Sequence, residues 1–423
     1  MNNRIGYACM NMDTEPNIFK TCRINSVTQE RLIELIDHNL EVLEAMIDYN
    51  IKHGNKMYRV SSSLIPFASN EVNCLDWQNY FKSDFERIGK KIKGADIRIS
   101  CHPGQYTVIN SKDTDVIERS IKELEYHSQL MELLSGDSSH KMILHVGGVY
   151  DDKEESMERF IQVYKTRLSE KIKKYLVIEN DDRLYTVEDI LYISNKIGIP
   201  LVFDNLHHLC NPSLEHLSIR EILDQVRATW PAVMVPKMHY SQQDKDKRMG
   251  AHSYTIHLDA FDRDYEGYIK GNPIDIMLEV KDKNRSFMKV DAFLYPKAVK
   301  IEGEWARYKY LVMAHSIEHY KHIRTLFKNN PRVDVKSFYH LVDDALNQDL
   351  KIGNQINAFD HIWGYFKKHC SSQELEKYLK SREAFREGHI QNKVLIRYLE
   401  KMAIKYEVRY LLDSYYFTTL LSK

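Results

Sequence analysis

Nine side chains able to bind metal or move protons fall at comparable places along this chain: His102, His145, Glu179, Asp204, His207, Lys237, His239, His252 and Glu279. Apart from Lys237, near the start of its run, and His252, in the following loop, each lies towards or just beyond the end of a short apolar run. His102 follows DIRIS (96–100), and His145 sits in MILHV (142–146). Glu179 closes YLVIE (175–179), and Asp204 closes PLVFD (200–204), with His207 three residues on. Lys237 and His239 lie in PKMHY (236–240), His252 in the loop after it, and Glu279 in DIMLEV (275–280). Imidazole and carboxylate are the ligands of Zn²⁺ and Mn²⁺. One metal takes three or four such groups, so this set suffices for two or three ions with a carboxylate bridging a pair. Such clusters suit phosphodiester cleavage, because they generate hydroxide and stabilise the leaving oxygen. Singly, each residue has an ordinary explanation. Asp204 stands where a helix N-cap would, Glu179 and Glu279 could partner a buried Lys or Arg, and a lone histidine is usually packed or solvated. The metal reading comes from six successive runs each placing such a group at the same end.

Something must bring those ends together. Besides the runs above, IGYA (5–8) and YRVS (58–61) complete a set of eight, about five residues each and rich in β-branched residues, as buried parallel strands are. Amphipathic helical stretches separate them. The clearest is predicted to start at Ser26, with Gln29 at capping-box spacing, and to carry Leu32, Ile36, Leu40, Leu43 and Ile47 on one face. Eight strands alternating with helices predict a (β/α)₈ TIM barrel, whose strand C-termini share one active face. The segment between the seventh and eighth strands is the least regular. From about residue 300 the pattern becomes all-helical and rich in Tyr and Lys. The expected division is therefore a barrel over 1–292 and an α-helical domain over 300–423, with YPKAVK at the break.

The 423 residues carry no net formal charge, with 43% hydrophobic and 28% charged residues, so the chain should be globular and should not coat nucleic acid indiscriminately. The six scattered cysteines form no C-x-x-C pair, and no apolar run is long enough for a membrane span. The expectation is a cytoplasmic protein with reduced thiols, no membrane partner and no organic cofactor.

The stretches IGYACMN (5–11), SSSLIPFAS (61–69), CHPGQY (101–106), LHVGG (144–148), IENDD (178–182), FDNLHH (203–208), KMHYS (237–241), AHS (251–253) and DIMLEVKDK (275–283) resemble, in order, those of the UV damage endonuclease family, barrels related to endonuclease IV. The resemblance implies a DNA repair enzyme that acts on damaged double-stranded DNA as a monomer. It would cut immediately 5′ to pyrimidine photoproducts and some other lesions, leaving a 3′-hydroxyl and a 5′-phosphate. It implies two or three divalent ions, Mn²⁺ first, with Zn²⁺, Co²⁺ or Mg²⁺ as alternatives. His102, His145 and Glu179 would hold the first ion. Glu179 would bridge to a second bound by Asp204, His239 and Glu279, and His207 and His252 would hold a third. Glu179 and Lys237 would be the catalytic residues, the matching family lysine being open to carboxylation by CO₂. Gln105 and Tyr106 would be pushed into the duplex opposite the lesion, with Tyr7 and Asn11 touching DNA on the same face. One departure stands out: Asn70 occupies a position where the family usually has histidine, and an amide is the poorer ligand.

WARYKYLVMAHS (305–316), FDHIWGYFKK (359–368), FREGH (385–389) and YLLDSYYF (410–417) resemble a helical domain of unknown function that recurs beside photolyase genes. Three other functions fit parts of the pattern: an endonuclease for abasic sites, a metal-dependent sugar isomerase or epimerase, and a lesion-binding protein without catalysis. The number of histidines and the Gln-Tyr loop argue against the sugar enzyme.

Overall fold

The computed structural model describes residues 3–296, 301–329 and 333–422. Eight parallel strands, β1 (Ile5–Ala8), β2 (Met57–Val60), β3 (Arg98–Cys101), β4 (Lys141–His145), β5 (Leu176–Glu179), β6 (Leu201–Asp204), β7 (Lys237–Tyr240) and β8 (Asp275–Leu278), pair in chain order. The barrel closes where β1 meets β8, with Tyr7 opposite Leu278. The strands are short and almost wholly buried because helices cover their outer face and side chains fill the interior.

The alternation of a strand explains how the site is mounted. Ile143, Val177 and Val202 share one apolar cluster with Trp230. Two residues further along the same strands stand His145, Glu179 and Asp204, hence on the same face and one layer nearer the strand C-termini. Ala8, Met57 and Met277 form a second cluster, and Arg59 and Glu279 stand two residues beyond its β2 and β8 members. Register sets polar groups side by side, His145 opposite Glu179 and Asp204 opposite His239.

The first long helix runs Gln29–Lys52, and its predicted apolar positions are all buried. Its N-cap is Thr28, whose hydroxyl accepts from the Arg31 amide at 3.2 Å; Ser26 instead ends a 3-10 turn. Both residues are good caps two positions apart, and packing of the apolar face selects between them. The segment before β8 is irregular, a short helix Leu258–Asp264 running into the π turn Tyr265–Ile269.

The chain forms two compact units, Met1–Ile256 with Ala260–Met288, and His257–Asp259 with Lys289–Lys423. Part of the break expected near 290–300 falls on residues 297–300, which lie outside the described residues. The second unit is a helical bundle from Ile301–His315 to Tyr415–Ser422, cored by Tyr308, Phe338, Phe359, Leu399 and Tyr416. Among the described residues no helix is long and apolar enough to cross a membrane.

Candidate metal centre

Glu179, 1% exposed, is the hub of the barrel mouth. Its Oε1 accepts from His239 Nδ1 at 2.7 Å. Its Oε2 lies 3.3 Å from His102 Nε2 and 3.8 Å from His145 Nε2. Two sets of possible ligand atoms, His102, His145 and Glu179, and Glu179, Asp204 and His207, each lie within 4.8 Å of one another. Glu179 belongs to both.

Neighbouring groups aim these side chains. Asp204 does cap the helix Asn205–Cys210, its Oδ1 accepting from the His207 amide at 2.8 Å. Oδ2 stays buried without a hydrogen-bond partner, so the capping role leaves one oxygen for other use. His207 Nδ1 donates to the Asn180 carbonyl at 2.9 Å, and despite burial the Asp204 and Glu179 carboxylates raise the imidazole to about 9, so Nε2 can ligate only once its proton is displaced. His207 rings with His145 at 5.6 Å and with His252 at 6.5 Å between centroids. His239 is fully buried, with Nδ1 also 3.0 Å from Glu279 Oε1 and with Nε2 unpartnered. After His145 the chain turns through Gly147 at φ 116°, where a Cβ would come within 2.4 Å of Asn110 Oδ1, so glycine is required there.

These details test whether the residues suit a cation. The His102 ring has Nδ1 3.1 Å from the Pro103 carbonyl, so Nδ1 donates there. Nε2 then faces a carboxylate oxygen, an arrangement that needs a proton or a cation between the two acceptors. Among the described residues, Asp204 Oδ2 and His239 Nε2 are buried polar atoms without hydrogen-bond partners, at a cost that a bound ion would remove. Burial raises the Asp204 carboxyl to about 6. Burial and the surrounding histidines hold the His145 imidazole down to about 4, keeping it neutral and able to ligate. The donor set fits divalent cations of the Zn²⁺ or Mn²⁺ type.

Three supporting residues escaped the sequence reading. Arg59 on β2 forms a close ion pair with Glu279, fixing it beside His239. Asn180 clamps β5 to β6, its side chain bonding the Asp204 amide and carbonyl at 2.9 and 3.1 Å. Ser100 on β3 takes the only hydrogen bond that the Lys237 amine makes among the described residues, at 2.5 Å. Arg59 and Ser100 are polar side chains in otherwise apolar strands, which was the available signal. Lys237 is fully buried, and burial followed by Arg98 and Arg59 puts its amine well below the usual lysine range.

The other predicted residues divide. Gln105 and Tyr106 are exposed in the β3 loop, and Tyr106 is 85% exposed, so the ring does not pack beneath a turn. Tyr7 and Asn11, expected on the DNA-facing surface, are not at the surface. Both are fully buried, Asn11 Nδ2 donating to the Tyr7 hydroxyl at 2.7 Å and that hydroxyl to Asn50 at 2.8 Å. Tyr7 alternates with the interior residues Gly6 and Ala8, so it points into the helix layer against Phe287. Asn70 is exposed, and its Oδ1 accepts from the Val72 amide at 3.0 Å in a local turn.

Comparison with known proteins places this geometry in a family. The model of the family described as UV-endonuclease UvdE matches residues 3–301. A UV DNA damage endonuclease of Clostridium perfringens is 38% identical over 352 residues, covering 81% of this chain and 83% of that protein. A putative UV-damage endonuclease of Acanthamoeba polyphaga mimivirus is 32% identical over 317 residues, 71% of this chain and 94% of that protein. The crystal structure titled SacUVDE superposes with a TM-score of 0.66 at 37% identity, covering 70% of this chain and 100% of that one. The model of a protein family of unknown function, DUF1722, matches residues 309–420. This chain belongs to the UvdE family of UV endonucleases, with a DUF1722 region following the barrel.

Proposed function

We propose that this protein is a DNA repair endonuclease that hydrolyses the phosphodiester immediately 5′ to UV photoproducts in duplex DNA, using divalent ions held at the barrel mouth. The observation that carries the reading is Glu179, a buried carboxylate shared by two ligand sets whose neighbours keep unpartnered nitrogen and oxygen atoms, in a chain of the UV-endonuclease family. His102 and His145 would hold one ion with Glu179, and Asp204 and His207 a second. His239 and Glu279 border the second set, and His252 lies beside His207 for a third. Ions held by these residues would supply Lewis-acid activation of the attacking water and charge neutralisation at the leaving oxygen, and Mn²⁺ would suit the mixed His and carboxylate set.

The chain's own groups do the rest. Arg59 keeps Glu279 ionised and oriented, and Asn180 sets the His207 tautomer. Burial, followed by Arg98 and Arg59, lowers the Lys237 amine well below the usual lysine range, the direction that carbamate formation requires. Gln105 and Tyr106 would enter the gap left when the damaged bases leave the stack.

The test is incubation with Mn²⁺ and three duplexes, undamaged, UV-irradiated and abasic. The expected result is metal-dependent incision of the irradiated duplex with a 3′-hydroxyl product, lost in Glu179→Gln while lesion binding persists. Full incision by metal-stripped protein in chelator, or by Glu179→Gln, overturns the metal reading. Preferential cutting of the abasic duplex reassigns the substrate.

A further inference from the structure

The helical unit presents surface chemistry that incision at the barrel does not use. Tyr365, just after the helix Ile352–Trp363, and Tyr410, in the short helix Arg409–Leu412, are each 38% exposed. Their rings stack with centroids 5.8 Å apart and planes 19° from parallel. Both rest edge-on against buried Tyr310, at 6.3 Å each, and the Tyr310 and Tyr365 hydroxyls bond at 2.9 Å. Scattered exposed tyrosines are unremarkable, whereas two rings braced on a third form a flat platform ordered before any ligand arrives.

Beside it lies a cationic surface. Lys309 sits 5.4 Å from the centre of the Tyr310 ring, and Arg324 lies 5.7 Å from that of Tyr320. Burial, and then Arg324, hold the Lys309 ammonium below its usual range, as expected of adjoining cations without an intervening carboxylate. Lys321, Arg324 and Lys328 are exposed along the helix Ile317–Asn329, whose one acidic residue is Glu318. Ion pairs elsewhere in the unit use other residues, such as Arg307–Glu304, Arg382–Asp360 and Lys405–Glu374. None of Lys309, Lys321, Arg324 and Lys328 has a carboxylate partner among the described residues. A run of like charge is ordinarily a solvated helix face. Here the unpaired charge borders a stacking platform, and that juxtaposition suits a polymer with both phosphates and flat bases.

We propose that the helical unit binds single-stranded nucleic acid, its bases stacking on Tyr365 and Tyr410 and its phosphates meeting Lys309, Lys321, Arg324 and Lys328. A single strand is favoured over a duplex because duplex bases are already stacked on one another and could not lie on the tyrosine rings. The binding is independent of the incision chemistry and of lesions.

The experiment uses the full-length protein, a short fluorescent oligo(dT) and anisotropy over a salt series. Tyr365→Ala with Tyr410→Ala lowers affinity about tenfold or more, the range for one lost base–aromatic stack, while the paired Tyr→Phe variant retains binding because the rings remain. Lys321→Gln with Arg324→Gln reduces the slope of log affinity against log salt by about 1.4, from ~0.7 per phosphate contact on a single strand. Wild-type affinity and salt slope in the two helical-unit variants overturn the proposal. So does equal binding of wild-type protein to oligo(dT), undamaged duplex and inorganic polyphosphate, which marks a general polyanion surface.

Discussion

Replacing Gln105 and Tyr106 together by Ala should separate damage recognition from metal chemistry. Tyr106 is 85% exposed, so the free protein loses almost no packing when the ring is removed, and folding stability should change by less than about 0.5 kcal/mol. The loss should appear only on DNA. A tyrosine that slides into a base stack covers on the order of 100 Å² of ring surface, which at about 25 cal/mol per Å² is roughly 2.5 kcal/mol. Measured base–aromatic stacking, about 1–3 kcal/mol, brackets that value and corresponds to roughly 5- to 150-fold in affinity. The lesion adds to the discrimination, since a photoproduct already pairs and stacks poorly and costs less to extrude. The assay is single-turnover cleavage of a duplex with one defined dimer, at enzyme below saturation, with metal content and thermal midpoint measured on the same preparation. The expected outcome is unchanged metal content and midpoint with incision reduced within that range, and Tyr106→Phe close to wild type. Wild-type cleavage by the double variant would show that the loop is a solvent-exposed turn with no part in recognition.

Other substitutions probe the supporting structure. Asn70→His should leave metal content unchanged by elemental analysis, because the Asn70 side chain is exposed and committed to the Val72 amide; a tighter first site would show that the loop can turn inward. Arg59→Leu strands the Glu279 carboxylate and should cost roughly 3–5 kcal/mol in a urea titration, with Arg59→Lys in between; a loss under about 1 kcal/mol would mean that the pair is dispensable. His140 is buried with Nδ1 accepting from the Ile99 amide at 3.0 Å, and burial lowers its pKa from the ordinary histidine value of 6.5 to about 4. The native state thus binds fewer protons there than the unfolded chain, and stability present above about pH 6.5 is lost as pH falls toward 4. This contributes roughly 3 kcal/mol across that window, and a His140→Gln protein should show a shallower acid-side decline in denaturation midpoint. Equal declines would remove His140 from the account.

The barrel and the convergence of its histidines and carboxylates at one end were legible because both follow from short-range rules. Buried parallel strands read as apolar runs, and side chains two apart share a face, so His145, Glu179 and Asp204 could be placed at one end of the interior before any coordinates. The same rule gave no facing for Tyr7, since a strand buried on both faces carries no polar alternation to show which side is the interior. Asn11 was lost with it, because its partner, the Tyr7 hydroxyl, is buried. The helix start slipped from Thr28 to Ser26 because two good capping residues lie two positions apart and only packing chooses between them. Tertiary structure alone decided which of these side chains come together. Asp204 and His207 meet Glu179 in one set because Asn180 ties β5 to β6 and turns the His207 ring, a matter of register between strands. The ion pair that holds Glu279 joins residues 220 positions apart. Local sequence determines each element and what its face carries, whereas contacts between distant segments, set by closure of the barrel, determine which charges are paired and which ligand atoms are left free.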